Sequence, residues 1–455
     1  MNIAVVGMGY VGIPVAALLA DVQGFNVTGI QRRSKRSGWK IDVLNAGKSP
    51  FDGNEPGLDE LLKKIIDKGS FKVTDDYSVV STMDTILVDV QTPTDGPDHQ
   101  PSYLSLKEVC KEIGTFMKRG VLIITESTVA PGTTQNVIQP ILERRSGMKA
   151  GQDFSLAYSY ERVMPGRLVD YIINLPRIVG GIDRESERRA FELYKTIVKK
   201  EILTTDVLTA ETSKVMENAY RDVNIAFANE MALICESLGI DVFEVRRLIN
   251  SRDERHMHIP GSGVGGHCLP KDTWLLRYGL RKYGKNHMET EFINLARGIN
   301  NYMPTHMAIL VESALKEEGK NLRESKIAVL GIAYLEDSDD TRNTPAEQFI
   351  RDLEAKGAEV VAHDPYVKEF PGTELTKDLD IALRGSDCMA IVTKHKPYFG
   401  IDLNWAHEIM RTPIIVDGRN VIDGSTARQT GFLYKGIGKG IGSNPPLFSN
   451  LTKTY

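Results

Sequence analysis

The chain has 455 residues, 41% of them hydrophobic and 25% charged, with a formal net charge of -4. That length exceeds what one hydrophobic core usually serves, and the composition excludes disordered and fibrous classes. No long run of Lys or Arg attracts a phosphate polymer, which argues against a nucleic-acid role, and no segment reaches the roughly 18 apolar residues that span a bilayer.

The chain enters a strand pattern at once (MNIAVVG), with no basic stretch ahead of an apolar one, so a cytoplasmic location is expected. Residues 2–6 lead into GMGYVG and a helix to about Asp21; FNVTGI (25–30), TILVDV (85–90) and VLIIT (121–125) are further short apolar runs. Apolar runs of this kind, each near a helical pattern, predict a doubly wound α/β domain with a parallel sheet covered on both faces, ending near residue 200. Residues 207–238 keep a helical period without Gly or Pro, and a helix of that length spans a domain. It opens a helical middle domain over about 207–310. A second strand-loop-helix unit starts at KIAVLGIAY (326–334), with a helix after Pro345 and strands at 358–365, 387–393 and 413–419. This third domain resembles the first in plan but lacks its glycine fingerprint. The fold class is therefore α/β, two Rossmann-like doubly wound domains joined by a helical middle domain with a long central helix. The Gly-, Ser- and Pro-rich stretch from about 434 to 455 is expected to be a mobile tail.

Gly7, Gly9 and Gly12 fit GxGxxG between a strand and a helix, where glycines permit a tight turn and let a pyrophosphate approach the helix N-terminus. The acid that usually holds the adenosine ribose falls about 20 residues further on. Gln31, Arg32 and Arg33 stand there instead. The arginines either accept a 2′-phosphate and favour NADP, or end a solvated loop and leave NAD acceptable. Thr92-Pro93 and Glu126-Ser127-Thr128 lie just past two strand ends, the edge where such sheets bind ligands, though hydroxyls also cap turns.

Lys214, Asn218 and Arg221 stand at i, i+4 and i+7 of the long helix, either a wet stripe or, turned into a crevice, a face that holds an oxyanion. Cys110, Cys235, Cys268 and Cys388 form no CxxC pair, so no metal site or disulfide framework is expected. Only Cys268 has a polar setting, in GSGVGGHCLPKD (261–272). A thiolate that attacks a carbonyl needs close access, which bare glycine backbone permits, and His267 and Lys271 are near enough to favour its ionised form. Asp272 serves as a base or orients one.

Taken together, GMGYVG (7–12), QTPTD (91–95), ESTVAPGTT (126–134), AETSKVMENAY (210–220), GVGGHCLPKD (263–272) and DTRNTP (340–345) resemble the nucleotide-sugar 6-dehydrogenases, the UDP-glucose/GDP-mannose dehydrogenase family, over roughly residues 1–425. GGHC in place of GGSC, and YERVMPG (160–166), resemble the branch acting on UDP-N-acetylhexosamines. The resemblance implies a dinucleotide-binding domain over 1–206, a central dimerisation domain over 207–310 and a nucleotide-sugar-binding domain over 311–455. It implies a four-electron oxidation of the sugar C6 alcohol to a carboxylate with NAD, through a thiohemiacetal and a thioester on Cys268. By position, Lys214 and Asn218 stabilise the oxyanion, Asp272 acts with a water as base, and Glu161 and Thr128 position the hydrolytic water. Gly7, Gly9, Gly12, Gln31, Arg32, Thr92, Thr128, Lys271 and Arg342 fall on the cofactor side, and Arg221, Arg255, Gly265 and Arg419 on the substrate side. Arg255 aligns with an arginine that reaches the substrate of a neighbouring subunit, which implies a homodimer or higher oligomer.

Three positions depart from the family. Pro165 replaces a second glutamate, so hydrolysis rests more heavily on Glu161; Leu335-Glu336 follow Tyr334 where lysine is usual; and Gln31 replaces the ribose-binding acid. Two other readings compete, a two-electron hydroxy-acid dehydrogenase using Lys214 and Asn218, and a dinucleotide-sensing protein with a dead site.

Overall fold

A computed structural model describes residues 1–440 except Arg36, Asp52, Asn54, Pro97 and His287. Its chain divides into two compact units, Met1–Glu217 with Trp274–Glu289, and Asn218–Thr273 with Thr290 onward.

In the first unit the strands are β1 (Asn2–Val6), β2 (Asn26–Ile30), β3 (Phe71–Thr74), β4 (Thr85–Val88), a two-stranded β5 (Thr94–Asp95) with β6 (Gln100–Pro101), then β7 (Leu122–Thr125), β8 (Ser155–Tyr158), β9 (Arg177–Gly181) and β10 (Ile202–Asp206). The main sheet runs β10-β9-β8-β7-β4-β1-β2-β3. From β3 to β8 every pairing is parallel, with the strand reversal between β1 and β4 that defines a doubly wound sheet. In this sheet β8 and β9 pair antiparallel, as do β5 and β6 in their separate ribbon. The apolar strands read as continuous runs because both faces are covered. Ile3, Val5, Leu87 and Ile124 enter one core, while Ala4, Val6, Ile86 and Ile123 enter the other. That split is the two-residue period of a strand sorting side chains into two layers.

The second unit repeats the plan with β11 (Lys326–Leu330), β12 (Glu359–His363), β13 (Glu374–Thr376), β14 (Cys388–Ile391), β15 (Ile414–Asp417) and β16 (Leu433–Gly436). Its all-parallel order, β13-β12-β11-β14-β15-β16, reverses between β11 and β14 just as the first sheet does between β1 and β4. The helix Pro345–Ala355 starts at the expected proline, with Thr344 Oγ1 accepting the Ala346 N–H at 3.2 Å. A helix over Glu291–Glu317 packs its buried face, including Met303, Met307 and Val311, into this unit's core. The long helix runs Val207–Leu238, the residues its period predicts.

The expected tail begins later than residue 434. Leu433–Gly436 pair in register with Ile414–Asp417, Tyr434 and Ile437 are buried, and the Gly438 N–H donates to Glu236 Oε1 at 2.7 Å. The apolar run Phe432–Tyr434 with Ile437 lets this Gly-rich stretch join the sheet edge. Residues 441–455 lie outside the described residues. Among the described residues no helix is long and apolar enough to cross a membrane.

Candidate active site

The glycine turn after β1 is dictated by space. A Cβ on Gly7, whose φ is +107°, would stand 2.0 Å from Asp89 O, and one on Gly12 would stand 2.0 Å from Gly7 O. Nothing lies within 4 Å of the same point on Gly9. The helix Gly12–Asp21 begins without a side-chain cap from Val11; its Gly12 N–H bonds the Asp89 carboxylate and its Ile13 N–H donates to Gly9 O at 3.1 Å. These features open on a cavity of about 860 Å³ lined by the turn, Gln31, Arg32, Lys40 and Asp89. Two glycines closed to any Cβ and one open to solvent fit a dinucleotide.

Lys40 and Asp89 are missed by sequence reading. Lys40 Nζ donates to Met8 O at 3.1 Å, and desolvation holds its pKa below the ordinary value. Enclosure pushes the Asp89 carboxyl well above the carboxylate range, and the like charges of Glu126 and Glu161 add to it. Their signal is faint, since Asp89 falls at the end of an apolar run and Lys40 follows a polar stretch.

The two strand-end motifs meet. Thr92 Oγ1 donates to Thr128 O at 2.5 Å, and Ser127 Oγ accepts from Val90 N and donates to Val90 O, each at 2.8 Å. Beneath them Glu126 is fully buried against Arg177, whose guanidinium lies 3.8 Å from the centre of the Tyr194 ring; the Tyr194 hydroxyl donates to Glu126 at 2.8 Å. Lys214 is buried and its ammonium donates to the backbone carbonyl of Glu161 at 2.7 Å, so these two predicted residues come together. The Glu161 carboxylate accepts the Val163 N–H.

In the second unit Asn218 Nδ2 donates to Asp272 Oδ2 at 2.6 Å. Asp272 is fully buried; its Oδ1 lies 3.6 Å from Lys271 Nζ and accepts no hydrogen bond among the described residues. Cys268 is exposed and stands directly before the helix Leu269–Tyr283, whose Lys271 and Asp272 N–H groups donate to its carbonyl at 3.0 and 2.9 Å. That helix start is invisible to the glycine reading, and it puts Cys268 at the N-terminal end of the helix. Cys110, Cys235 and Cys388 are buried.

The glycines before Cys268 have a second explanation. A Cβ on Gly265 would meet Tyr334 Cβ at 2.5 Å, and one on Gly266, at φ +93°, would meet the Tyr334 ring at 2.8 Å. The loop is further pinned by Gly266 N to Arg342 O (2.9 Å), Asn343 Nδ2 to Gly266 O (3.0 Å) and Gly261 N to Asn229 Oδ1 (2.9 Å). Bare backbone thus serves close packing as well as access. His267 does not supply the positive charge read from its position: burial, then Lys271 and Arg342, push its pKa down to about 4, so it is neutral at pH 7.

Two of the remaining predicted residues, Arg342 and Arg419, bond the loop that carries Cys268. Arg419 is buried, with Nε donating to Val392 O at 2.8 Å and Nη2 to Gly263 O at 3.0 Å, and burial pushes its pKa down to about 10. Arg342 makes a fork to the Asp340 carboxylate, while Arg221 and Arg255 are exposed.

A doubly wound nucleotide fold, a glycine turn shaped for a pyrophosphate and an exposed cysteine at a helix start define an NAD-dependent oxidoreductase. Residues 1–198, 208–302 and 328–424 match the NAD binding, central and UDP binding domains of the UDP-glucose/GDP-mannose dehydrogenase family, and the chain belongs to that family. It is 38% identical to the UDP-N-acetyl-D-mannosamine dehydrogenase of Pyrococcus horikoshii, over 97% of this chain and 100% of that one. The solved structure of the Pyrococcus protein superposes with a TM-score of 0.88. An NDP-N-acetyl-D-galactosaminuronic acid dehydrogenase from Methanosarcina mazei superposes with a TM-score of 0.89, at 42% identity over 96% of this chain and 95% of that chain.

Proposed function

We propose that the chain oxidises the C6 alcohol of a UDP-N-acetylhexosamine, foremost UDP-N-acetylmannosamine, to the uronate, in the cytoplasm and as a homodimer or larger assembly. The partition is 1–206 for the dinucleotide, 207–310 for the central and dimerising part, and 311–455 for the nucleotide sugar. The observation that carries the chemistry is the exposed Cys268 at a helix start, one helical turn before the buried Asp272 that Asn218 holds. Family membership and relatives named for N-acetylmannosamine and N-acetylgalactosaminuronic acid support the substrate class.

When bound, two dinucleotides in succession would each supply the acceptor for one hydride, one per oxidation. In the first, the C6 hydroxyl loses its proton through a water held by Asp272, whose Oδ1 has acceptor capacity to spare. Lys214 and Asn218 hold the developing oxygen charge by ammonium and amide donors. The Cys268 thiolate, favoured by the helix N-terminus, adds to the aldehyde carbon to give a thiohemiacetal. Loss of the second hydride leaves a thioester, and water positioned by Glu161 and Thr128 cleaves its C–S bond, releasing carboxylate and regenerating the thiol. Covalent capture keeps the aldehyde from escaping between steps. Arg255, Arg221, Gly265 and Arg419 lie on the sugar-nucleotide side of this scheme; Thr92, Lys271 and Arg342 lie on the cofactor side.

The test is stoichiometry. Purified protein given UDP-N-acetylmannosamine and its gluco and galacto epimers should form two reduced dinucleotides per uronate, and Cys268→Ala should abolish uronate formation. One reduced dinucleotide per turnover in both proteins would instead support a two-electron dehydrogenase in which the cysteine is structural.

A further inference from the structure

We propose that Asn229, oriented by Asn300 and Asp222, is a positioning residue for Cys268: it fastens the start of the cysteine loop to the same face of the long helix on which Asn218 fastens its end. The inference rests on the cysteine chemistry proposed above, and every residue it uses lies in the second unit.

Residues 218, 222 and 229 share one face of the helix Val207–Leu238, because their spacings of four and seven are close to whole turns at about 3.6 residues each. That face is polar and yet buried. Asp222 and Asn229, with Arg297 and Asn300 from the helix Glu291–Glu317, are at most 1% exposed. Their hydrogen bonds run in one direction. Asp222 Oδ1 accepts from Asn300 Nδ2 at 2.8 Å, Asn300 Oδ1 accepts from Asn229 Nδ2 at 2.9 Å, and Asn229 Oδ1 accepts the Gly261 N–H at 2.9 Å. A carboxylate only accepts and a backbone N–H only donates, so the two ends of the chain fix both amides between them; turning either amide over would set like groups face to face.

Stability does not account for this arrangement. Asp222 pairs with Arg297 at 2.6 Å out of reach of water, and Asp222 Oδ2 and Arg297 Nη2 have no hydrogen-bond partner among the described residues. A buried ion pair left incompletely bonded recovers too little attraction to offset its desolvation, and apolar residues of similar volume often do as well or better. What the charges supply is direction, since they turn the Asn300 amide, and through it Asn229, toward the loop. Four glycines between residues 261 and 266 leave that loop much backbone freedom. Its bonds to Arg342 and Arg419 tie it toward the second sheet, whereas Asn229 ties it to the helix that bears Asn218. Asn229 holds Gly261 and Asn218 holds Asp272 at points about 16 Å apart along one helix axis. Cys268 is thus carried between two anchors on one rigid element, which sets the sulfur against the amide that would hold the substrate oxygen.

Product ratio separates positioning from folding, because an unfolded molecule forms neither product. A sulfur out of place captures the C6 aldehyde late, and each aldehyde that escapes has reduced one dinucleotide and yielded no uronate. A hydrazine in the medium condenses with the escaped carbonyl, losing water, and reports it as a hydrazone. Asn229→Ala and Asn300→Ala, given NAD and whichever epimer the unmodified chain oxidises, should raise reduced dinucleotide per uronate from two to about three, the value when about half of the aldehyde escapes. Both should lower kcat by roughly tenfold to 100-fold while KM for NAD changes less than about threefold. A ratio that stays at two in both variants overturns the inference. Hydrogen exchange of the unmodified chain gives a reading that no variant's folding can spoil: the Gly261 amide should exchange as slowly as the middle of the long helix, and exchange as fast as in the exposed residues 251–256 overturns the inference as well. An unmodified chain that does not form two reduced dinucleotides per uronate would instead bring down the cysteine chemistry itself.

Discussion

Replacing Arg177 by methionine isolates the charge network under the nucleotide-site edge. Arg177 and Glu126 are 4% and 0% exposed at their side chains, and Arg177 also donates to Ser159 Oγ at 2.9 Å and Ser159 O at 3.2 Å. Methionine fills most of the volume but leaves a carboxylate in a dry site supported, among the described residues, by the Tyr194 hydroxyl. Breaking a buried pair from one side costs about 3–5 kcal/mol, while removing both charges is close to neutral. Arg177→Met should therefore lose about that much at pH 8, and Arg177→Met with Glu126→Gln should recover most of it. Burial already pushes the Glu126 carboxyl above its ordinary range. Without the guanidinium it rises further, so the single variant's penalty shrinks as pH falls and the carboxyl takes up a proton. Urea denaturation read by Trp39 and Trp274 fluorescence, in a Trp405→Phe background, measures these differences within the first unit. A single variant losing less than about 1 kcal/mol, or a double variant no more stable than the single, would refute the view that this pair is a desolvated charge balance.

Gly12→Ala should lower both the melting temperature and dinucleotide affinity, because its Cβ meets Gly7 O at 2.0 Å, whereas Gly9→Ala should weaken binding with little change in melting, since its Cβ points into open space; equal destabilisation by the two would contradict the packing argument. Glu211, which accepts the Gly132 and Thr134 N–H groups at 2.6 and 2.7 Å, is pushed up to about 7 by burial. A raised carboxyl pKa favours folding in acid and costs stability as pH climbs toward 7, so the wild type should lose about 3 kcal/mol relative to Glu211→Gln between pH 4.5 and 7.5, and a pH-independent difference in urea denaturation would disprove the assignment.

Local pattern reveals much of the scaffold. The residues of β1, β2, β4 and β7, the long helix Val207–Leu238 and the β11–β12 unit are legible because a strand buried on both faces must be apolar throughout and a helix must avoid Gly and Pro. Several overlooked strands send no such signal: Phe71–Thr74 alternates with polar residues, Arg177–Gly181 carries a buried arginine and two glycines, and Leu433–Gly436 sits in a glycine-rich stretch. The antiparallel step between β8 and β9 has no local signature, since it depends on how the chain returns to the sheet.

At the site, sequence by itself determined which chemistry is available: one cysteine in a polar loop, a lysine and an amide a helical turn apart, a glycine turn for a pyrophosphate. Tertiary structure decided what each group meets. It set Asn218 against Asp272 and Lys214 against the Glu161 carbonyl, laid Tyr334 over the glycines before Cys268, and surrounded His267 so that it stays neutral. Residue type fixes a group's intrinsic chemistry, but its charge state and partners depend on desolvation and on neighbours brought from distant parts of the chain, and no local window contains them.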